Sequence, residues 1–537
     1  MKMTSTLQVG LACMAVALVS ASAKGTEPEG RSADCTLERV ASMVSPPVNI
    51  ELAQARAATA ATPAYCAISG FIDHGSRIGF TLALPRQWNH KFLFFGVGGF
   101  AGVPAPLDSG VARGYATGST DTGHQGTSVE DATWAFNNSA AILNHYESGV
   151  ELAATALKEL TSAYYGVRPA HAYFQGCSAG GRQALVQAER FPDSFDGVIA
   201  EAPAWSYSKL LVTFLENAHE ILKSPANWVP PDAFPALDRE VLKQCDAKDG
   251  LVDGIIENPR ACRPDLRKLL CSNSPQAAKA GTCLTSTQVA MLQKLVHPEF
   301  AHGRPGYYGY YLTGSERSDL SWGWSEWFFG TLPPLTDAQG KLNFRGDVLP
   351  AGPDRGKGPN QFLLGEQFFR YMVMNDPGYD ARTFDLGRDG ERLQHRLGAL
   401  LDADTADLGP FVRSGGKLII WHGWSDPAIP PEMAIELYTR ILEHSRQAPG
   451  QLSTAQAVRL FMVPGVQHCG GGTGLTEFDP LAAMEQWAEQ GQAPDRITAW
   501  QRVGGQRMRS RPLCAYPKTP HYRGNGSPDD AANFRCE

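Results

Sequence analysis

Gly176-Cys177-Ser178-Ala179-Gly180 fits the pattern Gly-x-Ser-x-Gly between a strand-like run, His171 to Gln175, and a helical run from about Gly181 to Arg190. A turn this tight tolerates only small flanking residues, and it lifts the serine oxygen above the sheet edge. The helix that follows brings its positive N-terminal dipole behind the site. The chemistry suited to this arrangement is nucleophilic attack by Ser178. A plain glycine-rich turn would explain the same five residues, so the partners decide. Serine is a weak nucleophile at neutral pH and needs a base, itself oriented by an acid. Where such a turn carries a nucleophile, the expected order is serine, then Asp or Glu, then His, each in a loop after a strand. Asp426 follows the run KLIIWHGWS, and His468 follows RLFMVPGVQ. His422 competes as the base, but it ends a strand-like run, where a packed core histidine is expected. Asp121 and His124 are further alternatives, expected to be structural or near the pocket.

Cysteines add a constraint. Cys177 immediately precedes the candidate nucleophile and Cys469 immediately follows the candidate base. Assembly of the three residues would bring these cysteines together, and a disulfide there would tie the serine turn to the histidine loop. The alternative is that each pairs elsewhere. The chain has 11 cysteines. Lys2, the apolar run Val9 to Val19 and Ala21-Ser22-Ala23 predict a secretory signal over 1–23 that removes Cys13. Cys13 as a lipid anchor would leave too short a signal, and Gly10 is not the leucine such a site prefers. Ten cysteines in an exported chain imply up to five disulfides and a secreted or periplasmic location. No C-x-x-C pair exists, which sets zinc aside.

The elements that must position these residues read as α/β. Lys91 to Gly102 (KFLFFGVGGFAG) is a strand running into a glycine-rich loop, and Ala116 to Gly126 a second strand with a polar exit. Apolar residues at helical spacing from about Ala140 to Tyr164 precede the His171 strand, and a strand at Asp196 to Glu201 follows the next helix. Alternating strands and helices imply a parallel sheet covered on both faces. From about Ala204 to Asp385 the rhythm breaks, and five tryptophans fall there: Trp205, Trp228, Trp322, Trp324 and Trp327. It resumes at Lys417 to His422, a helix from about Pro431 to Glu443, and Arg459 to Val463. The domain reading is therefore a signal peptide over 1–23, an α/β core over 24–203 and 386–537, and a large insertion over 204–385. With 537 residues, 43% hydrophobic and 19% charged, the chain is a folded globular protein. A net charge of −7 without a basic run excludes nucleic acid as the main partner. No run beyond the first two dozen residues is long enough for a membrane span.

Together Cys177-Ser178, Asp426 and His468-Cys469 resemble the CS-D-HC signature of the tannase and feruloyl esterase family. The similarity extends to Ser119 to His124, Phe191 to Ala204, His422 to Pro431 and Gly465 to Gly472, and covers nearly all the mature chain. It implies an α/β-hydrolase fold with a large inserted lid, the 204–385 segment, and a secreted serine esterase acting on aromatic-acid esters. The family also includes hydrolases of the terephthalate monoester released from polyester. The oxyanion needs two backbone N–H donors. One is expected from Ala179, the other from Gly98 or Gly99 in the early glycine-rich loop.

Cys245 to Ile256 (CDAKDGLVDGII) carries Asp246, Asp249 and Asp253, which by spacing alone are equally calcium ligands or ordinary turn residues. The segment is similar to the family's lid calcium loop, which implies those aspartates and the carbonyls of Leu251 and Ile255 as ligands of a structural Ca2+. The family pattern and proximity also imply the pairs Cys35–Cys66, Cys245–Cys262, Cys271–Cys283 and Cys514–Cys536. Trp322, Trp324 and Trp327 are candidate walls for a planar acyl group, with ordinary packing as the alternative. Ile429 resembles the ordinary esterase form of its loop, where polyester-monomer hydrolases carry an aromatic residue. Ala179 likewise differs from the acidic residue some of them have. A free terephthalate carboxylate would need an arginine, for which Arg317, Arg345 and Arg355 are available. The expectation is a feruloyl esterase, with a tannase, a mono(2-hydroxyethyl) terephthalate hydrolase and a non-catalytic calcium-binding protein on the same fold as alternatives. Its partner is a small aromatic ester, with neither nucleic acid nor membrane. Substitution of Ser178 by Ala separates the enzymes from the binding protein.

Overall fold

Runs such as KLIIWHG are buried at every position after the first, and mostly apolar, because both faces of the strand they form are covered. In the computed structural model, which describes residues 35–126, 128–271, 281–296, 309–317, 323–337, 340–344, 358–404, 406–447, 452–503 and 505–537, these runs build one nine-stranded sheet. The N-terminal strands are β1 (Val48–Arg56), β2 (Tyr65–His74), β3 (Ser76–Pro85), β4 (Lys91–Phe95) and β5 (Ala116–Thr120). They are followed by β6 (His171–Cys177), β7 (Gly197–Glu201), a detached pair β8 (Leu335–Thr336) and β9 (Leu342–Asn343), then β10 (Lys417–Gly423) and β11 (Val458–Val463). The sheet order is β1-β2-β3-β5-β4-β6-β7-β10-β11. β1, β2, β3 and β5 pair antiparallel, and every pairing from β5 to β11 is parallel.

Side chains alternate between two cores. Phe92, Phe94, Phe174, Val198, Leu418 and Ile420 point to one face. There the helix Ala179–Arg190 packs on β6 and β7. Leu93, Tyr173, Ile199, Ile419, Trp421 and Phe461 point to the other, with Met484 and Trp487 of the helix Pro480–Gln490. Each fully buried side chain of this size contributes about 1.5–3 kcal/mol. A hairpin of β12 (Arg496–Val503) and β13 (Gln506–Cys514), then a short pair β14 (Pro520–Tyr522) and β15 (Phe534–Cys536), complete the chain.

The predicted strands and helices of the parallel half are present within a few residues. The helix expected from Ala140 to Tyr164 is split, with Ser139–Leu143 and Gly149–Tyr165 joined by a wide turn at Asn144–Ser148. Three antiparallel strands precede the first one expected, and the β12–β13 hairpin was not expected either. β7 and β10 are neighbours in the sheet, so everything from 202 to 416 is inserted between them. Within it the helix Tyr207–Leu222 packs on the helices Asn360–Gln367 and Leu386–Leu401. No helix among the described residues is long and apolar enough to cross a membrane. The expected signal segment lies outside the described residues.

Candidate active site

Ser178 sits between β6 and the Ala179–Arg190 helix with φ 64° and ψ −121°, a left-handed conformation that costs a non-glycine residue about 1–3 kcal/mol. Hydrogen bonds hold it there: its N–H donates to Glu201 O (2.9 Å), and its carbonyl accepts from Arg182 N (3.0 Å) and Ala204 N (3.2 Å). The need for small neighbours is steric. A Cβ on Gly176 would lie 2.5 Å from Gly180 O, and one on Gly180 would lie 3.1 Å from the backbone of Gly96 and Val97.

Asp426 lies just beyond β10 and His468 just beyond β11, and adjacency of the strands brings the two loops together. His468 Nδ1 is 2.8 Å from Asp426 Oδ2. Both amides of the turn that follows, Ala428 N (2.8 Å) and Ile429 N (2.9 Å), donate to Asp426 Oδ1. Burial works to raise the Asp426 carboxyl, but the His468 and His422 imidazoles more than offset it and hold the group well below the usual carboxylate range. The serine and histidine loops are joined covalently. Cys177 and Cys469 form a disulfide with Cα atoms 5.9 Å apart across 292 residues of sequence, and Cys469 is itself at φ 59°. The other four expected pairs, Cys35–Cys66, Cys245–Cys262, Cys271–Cys283 and Cys514–Cys536, are also formed.

The glycine-rich loop after β4 passes directly over the serine turn. Most of its amides are committed: Gly96 N to Gln175 O, Phe100 N to Val129 O and Ala101 N to Gly98 O. Gln183, one turn into the serine helix, clamps Val97 from both sides, accepting its N–H at Oε1 (3.0 Å) and donating from Nε2 to its carbonyl (3.2 Å). Gly98 and Gly99 stand at the apex, and Gly99 has φ 55°, where a Cβ would meet Val129 O at 2.3 Å. Ala179 opens the serine helix, so its N–H has no carbonyl one turn earlier in the helix to bond.

The insertion grips both loops. Trp327 packs edge-on against the His468 ring, with centroids 5.2 Å apart. Tyr310 OH donates to Ala428 O (3.1 Å), while Gln361 Nε2 donates to Tyr310 OH and Pro427 O (both 3.0 Å). Gln467 Nε2 donates to Ser315 O (2.7 Å) and Arg317 O (3.1 Å), and Thr313 and Ser425 share a hydroxyl contact of 2.7 Å. Trp324, a candidate acyl wall, is instead packed inside the insertion against Tyr310 and Phe328. Ile429 is likewise buried in the core, where its backbone serves Asp426. Trp322, Arg345 and Arg355 lie outside the described residues.

Of the alternatives, Asp121 accepts the Gly79 (2.8 Å) and Gly123 (2.9 Å) amides, and burial pushes its carboxyl up to about 7. His124 stacks on Trp134, and burial pushes it down to about 4. These contacts hold both as structural groups, whereas His422 joins the His468–Asp426 pair: its Nε2 is 3.1 Å from Asp426 Oδ2. Sequence reasoning missed this contact, and it missed Gln183, Tyr310, Gln361 and Gln467. Only Gln183 left a signal, as a polar side chain one turn into a helix that must lie beneath the glycine loop.

The 246–257 loop curls on itself. Asp246 accepts from Asp253 N (3.3 Å) and Gly254 N (3.1 Å), and Asp249 from Leu251 N (3.1 Å) and Glu257 N (3.2 Å). Asp249 is raised by burial and by repulsion from Asp253 and Asp246. Glu257 is pushed up to about 8 by burial, and its Oε2 is buried without a hydrogen-bond partner. Arg511 pairs with Asp253 from the C-terminal hairpin. Among the described residues, no three acidic, histidine or cysteine side chains converge closely enough to form a metal centre as they stand. The donors are all hard oxygens, however, and the repulsion among them is what a divalent cation relieves.

The chain is similar to known proteins along most of its length. The family model for tannase and feruloyl esterase matches residues 67–537. An uncharacterized esterase of Xanthomonas campestris pv. campestris is 35% identical over 89% of this chain and 85% of its own length. The mono(2-hydroxyethyl) terephthalate hydrolase of Piscinibacter sakaiensis is 29% identical, covering 90% of this chain and 87% of its own. Feruloyl esterase B from Aspergillus oryzae superposes with a TM-score of 0.78 at 26% identity, over 94% of this chain and 99% of its own.

Proposed function

The chain belongs to the tannase and feruloyl esterase family and is a carboxylic ester hydrolase; from that premise we propose that it is a serine esterase cleaving esters of hydroxycinnamic acids. Ser178 Oγ attacks the ester carbonyl while His468 accepts its proton, and Asp426 holds the imidazole in the tautomer that makes this possible. The tetrahedral oxyanion is met by the Ala179 N–H and by a Gly98 or Gly99 N–H. Collapse expels the alcohol, which takes the proton back from His468. Water, deprotonated by the same histidine, then releases the acid from the acyl-enzyme. The observation that carries the reading is the 2.8 Å His468–Asp426 contact, beside a disulfide that tethers the base to the nucleophile. An aromatic acyl group is favoured by the Trp327 ring against His468 and by a feruloyl esterase among the structural relatives.

The test compares rates on methyl ferulate, methyl gallate, mono(2-hydroxyethyl) terephthalate and an aliphatic ester of similar size. Methyl ferulate is expected to be fastest, with Ser178→Ala inactive yet folded. An equally fast aliphatic ester would refute the aromatic pocket, and an active Ser178→Ala would refute the mechanism. Preference for gallate or the terephthalate monoester would reassign the acid and leave the chemistry intact.

We also propose that the 246–257 loop holds a structural Ca2+ through Asp246, Asp249, Asp253 and the carbonyls of Leu251 and Ile255. Bound calcium supplies charge that neutralises the buried carboxylates. Calcium at 100 times its Kd adds about 2.7 kcal/mol of stability. Chelation is expected to lower the Tm and calcium to restore it, with Asp249→Asn abolishing the response. A Tm indifferent to both would rule the site out. The five disulfides support a place of action outside the cytoplasm, secreted or periplasmic.

A further inference from the structure

We infer that His422 is a positioning residue for this hydrolysis, a second and neutral imidazole whose Nε2–H holds the Asp426 carboxylate and the turn that follows it. The inference rests on the Ser178–His468–Asp426 reading. That reading needs one imidazole on Asp426, and the site has two. Asp426 Oδ2 faces both His468 Nδ1 (2.8 Å) and His422 Nε2 (3.1 Å). His422 lies on β10, four residues before Asp426, and its side chain is wholly buried.

Nε2 of His422 is also 3.0 Å from Ile429 O. A carboxylate and a carbonyl only accept hydrogen bonds, so the network assigns a proton to Nε2. Nδ1 is buried with no hydrogen-bond partner, so a second proton there would be an unpartnered buried donor. His422 is therefore the neutral Nε2–H tautomer. The titratable groups facing Asp426 are His468 and His422, with Tyr310 beyond Ala428 O. A neutral donor keeps Asp426 ionised without cancelling its charge, so the single imidazolium of the reaction forms at His468. The same N–H fixes Ile429 O in the turn whose amides hold Oδ1. A purely structural histidine would place Asp426 but leave its basicity alone, and that difference is measurable.

His422→Gln retains an amide N–H near the Nε2 position, His422→Leu removes the donor, and His422→Asn is too short to reach Asp426. The readouts are kcat/KM against pH on methyl ferulate and the Tm of each variant. The Gln variant is expected within about threefold of wild type, and the Leu and Asn variants about 10- to 100-fold down. In those two the acid limb of the profile moves up by about half a unit, because an Asp426 relieved of one donor stabilises the His468 imidazolium more strongly. If Leu does not fold, Asn carries the comparison alone. Wild-type behaviour in Asn or Leu, loss in Gln equal to theirs, or a rate loss with an unmoved acid limb would overturn the inference. A wild-type protein without esterase activity, or an active Ser178→Ala, would sink the underlying mechanism instead, so the two failures are distinguishable.

Discussion

Removing the Cys177–Cys469 disulfide by the double substitution Cys177→Ala/Cys469→Ala separates two things the bond does. The first is stability. Closing a loop between residues 292 apart removes unfolded-state entropy worth about 5–6 kcal/mol at 25 °C, and measured cross-links reach about 5 kcal/mol. The second is geometry. Ser178 (φ 64°) and Cys469 (φ 59°) both occupy left-handed backbone, each at about 1–3 kcal/mol, and the sulfur bridge is anchored at or beside both. Once it is cut, residue 469 gains by relaxing and carries His468 with it. A displacement of about 1 Å costs about 100-fold. Guanidinium titration should therefore show a loss of several kcal/mol, and kcat/KM measured well below the new Tm should fall by about two orders of magnitude. A companion variant, Cys177→Ala/Cys469→Gly, tolerates φ 59° without strain. It should recover part of the activity and no more of the stability than the strain at residue 469, about 1–3 kcal/mol. A double-alanine variant with wild-type kcat/KM and an unchanged unfolding midpoint would refute the reasoning.

Gln183→Leu removes both bonds to Val97 and loosens the loop that carries Gly98 and Gly99; kcat should fall about 10- to 100-fold with KM little changed, and an equal rise in KM alone would contradict this. Asp121 has a folded-state carboxyl raised from 3.8 to about 7, so the native state holds a proton that the unfolded chain gives up. Its contribution is fully present below pH ~3.8 and is lost as pH rises through 7, up to about 4 kcal/mol in all. Asp121→Asn still accepts both amides at Oδ1 and should flatten urea-derived stability between pH 4 and 7, gaining on wild type at pH 8; parallel wild-type and variant curves would argue against it.

The sequence made the serine turn readable because sterics there leave few alternatives: Gly176 and Gly180 face backbone at 2.5 and 3.1 Å. Asp426 and His468 were readable through their position after apolar strands, and the cysteines beside Ser178 and His468 made their pairing a geometric corollary. What stayed hidden depends on contacts distant in sequence. Trp324 has the composition of a pocket wall, yet whether an aromatic residue faces ligand or core is decided by Tyr310 and Phe328 around it. His422 looked like an ordinary buried histidine, because a burial pattern does not reveal that its Nε2 reaches Asp426. Strands β1–β3 lacked the helical spacers that mark a parallel sheet, so alternation alone had to reveal them. In β2 the alternation is clean, but every second side chain is only half-buried.

The hydrogen bonds from Tyr310 and Gln361 to the carbonyls of Ala428 and Pro427 bear on how substrate range can change in this scaffold. A segment that touches the acyl group could be exchanged freely between relatives if it were mechanically independent of the catalytic loops. Here the inserted segment, proposed above to face the acyl group through Trp327, also supplies donors to the turn that presents Asp426. A transplanted insertion that reads a new ester correctly would still arrive with its own version of those donors and would retune the base as it retunes the pocket. Laboratory or natural divergence toward new esters should therefore proceed by single residues facing the acyl group, with Tyr310 and Gln361 left in place, rather than by wholesale replacement of the insertion.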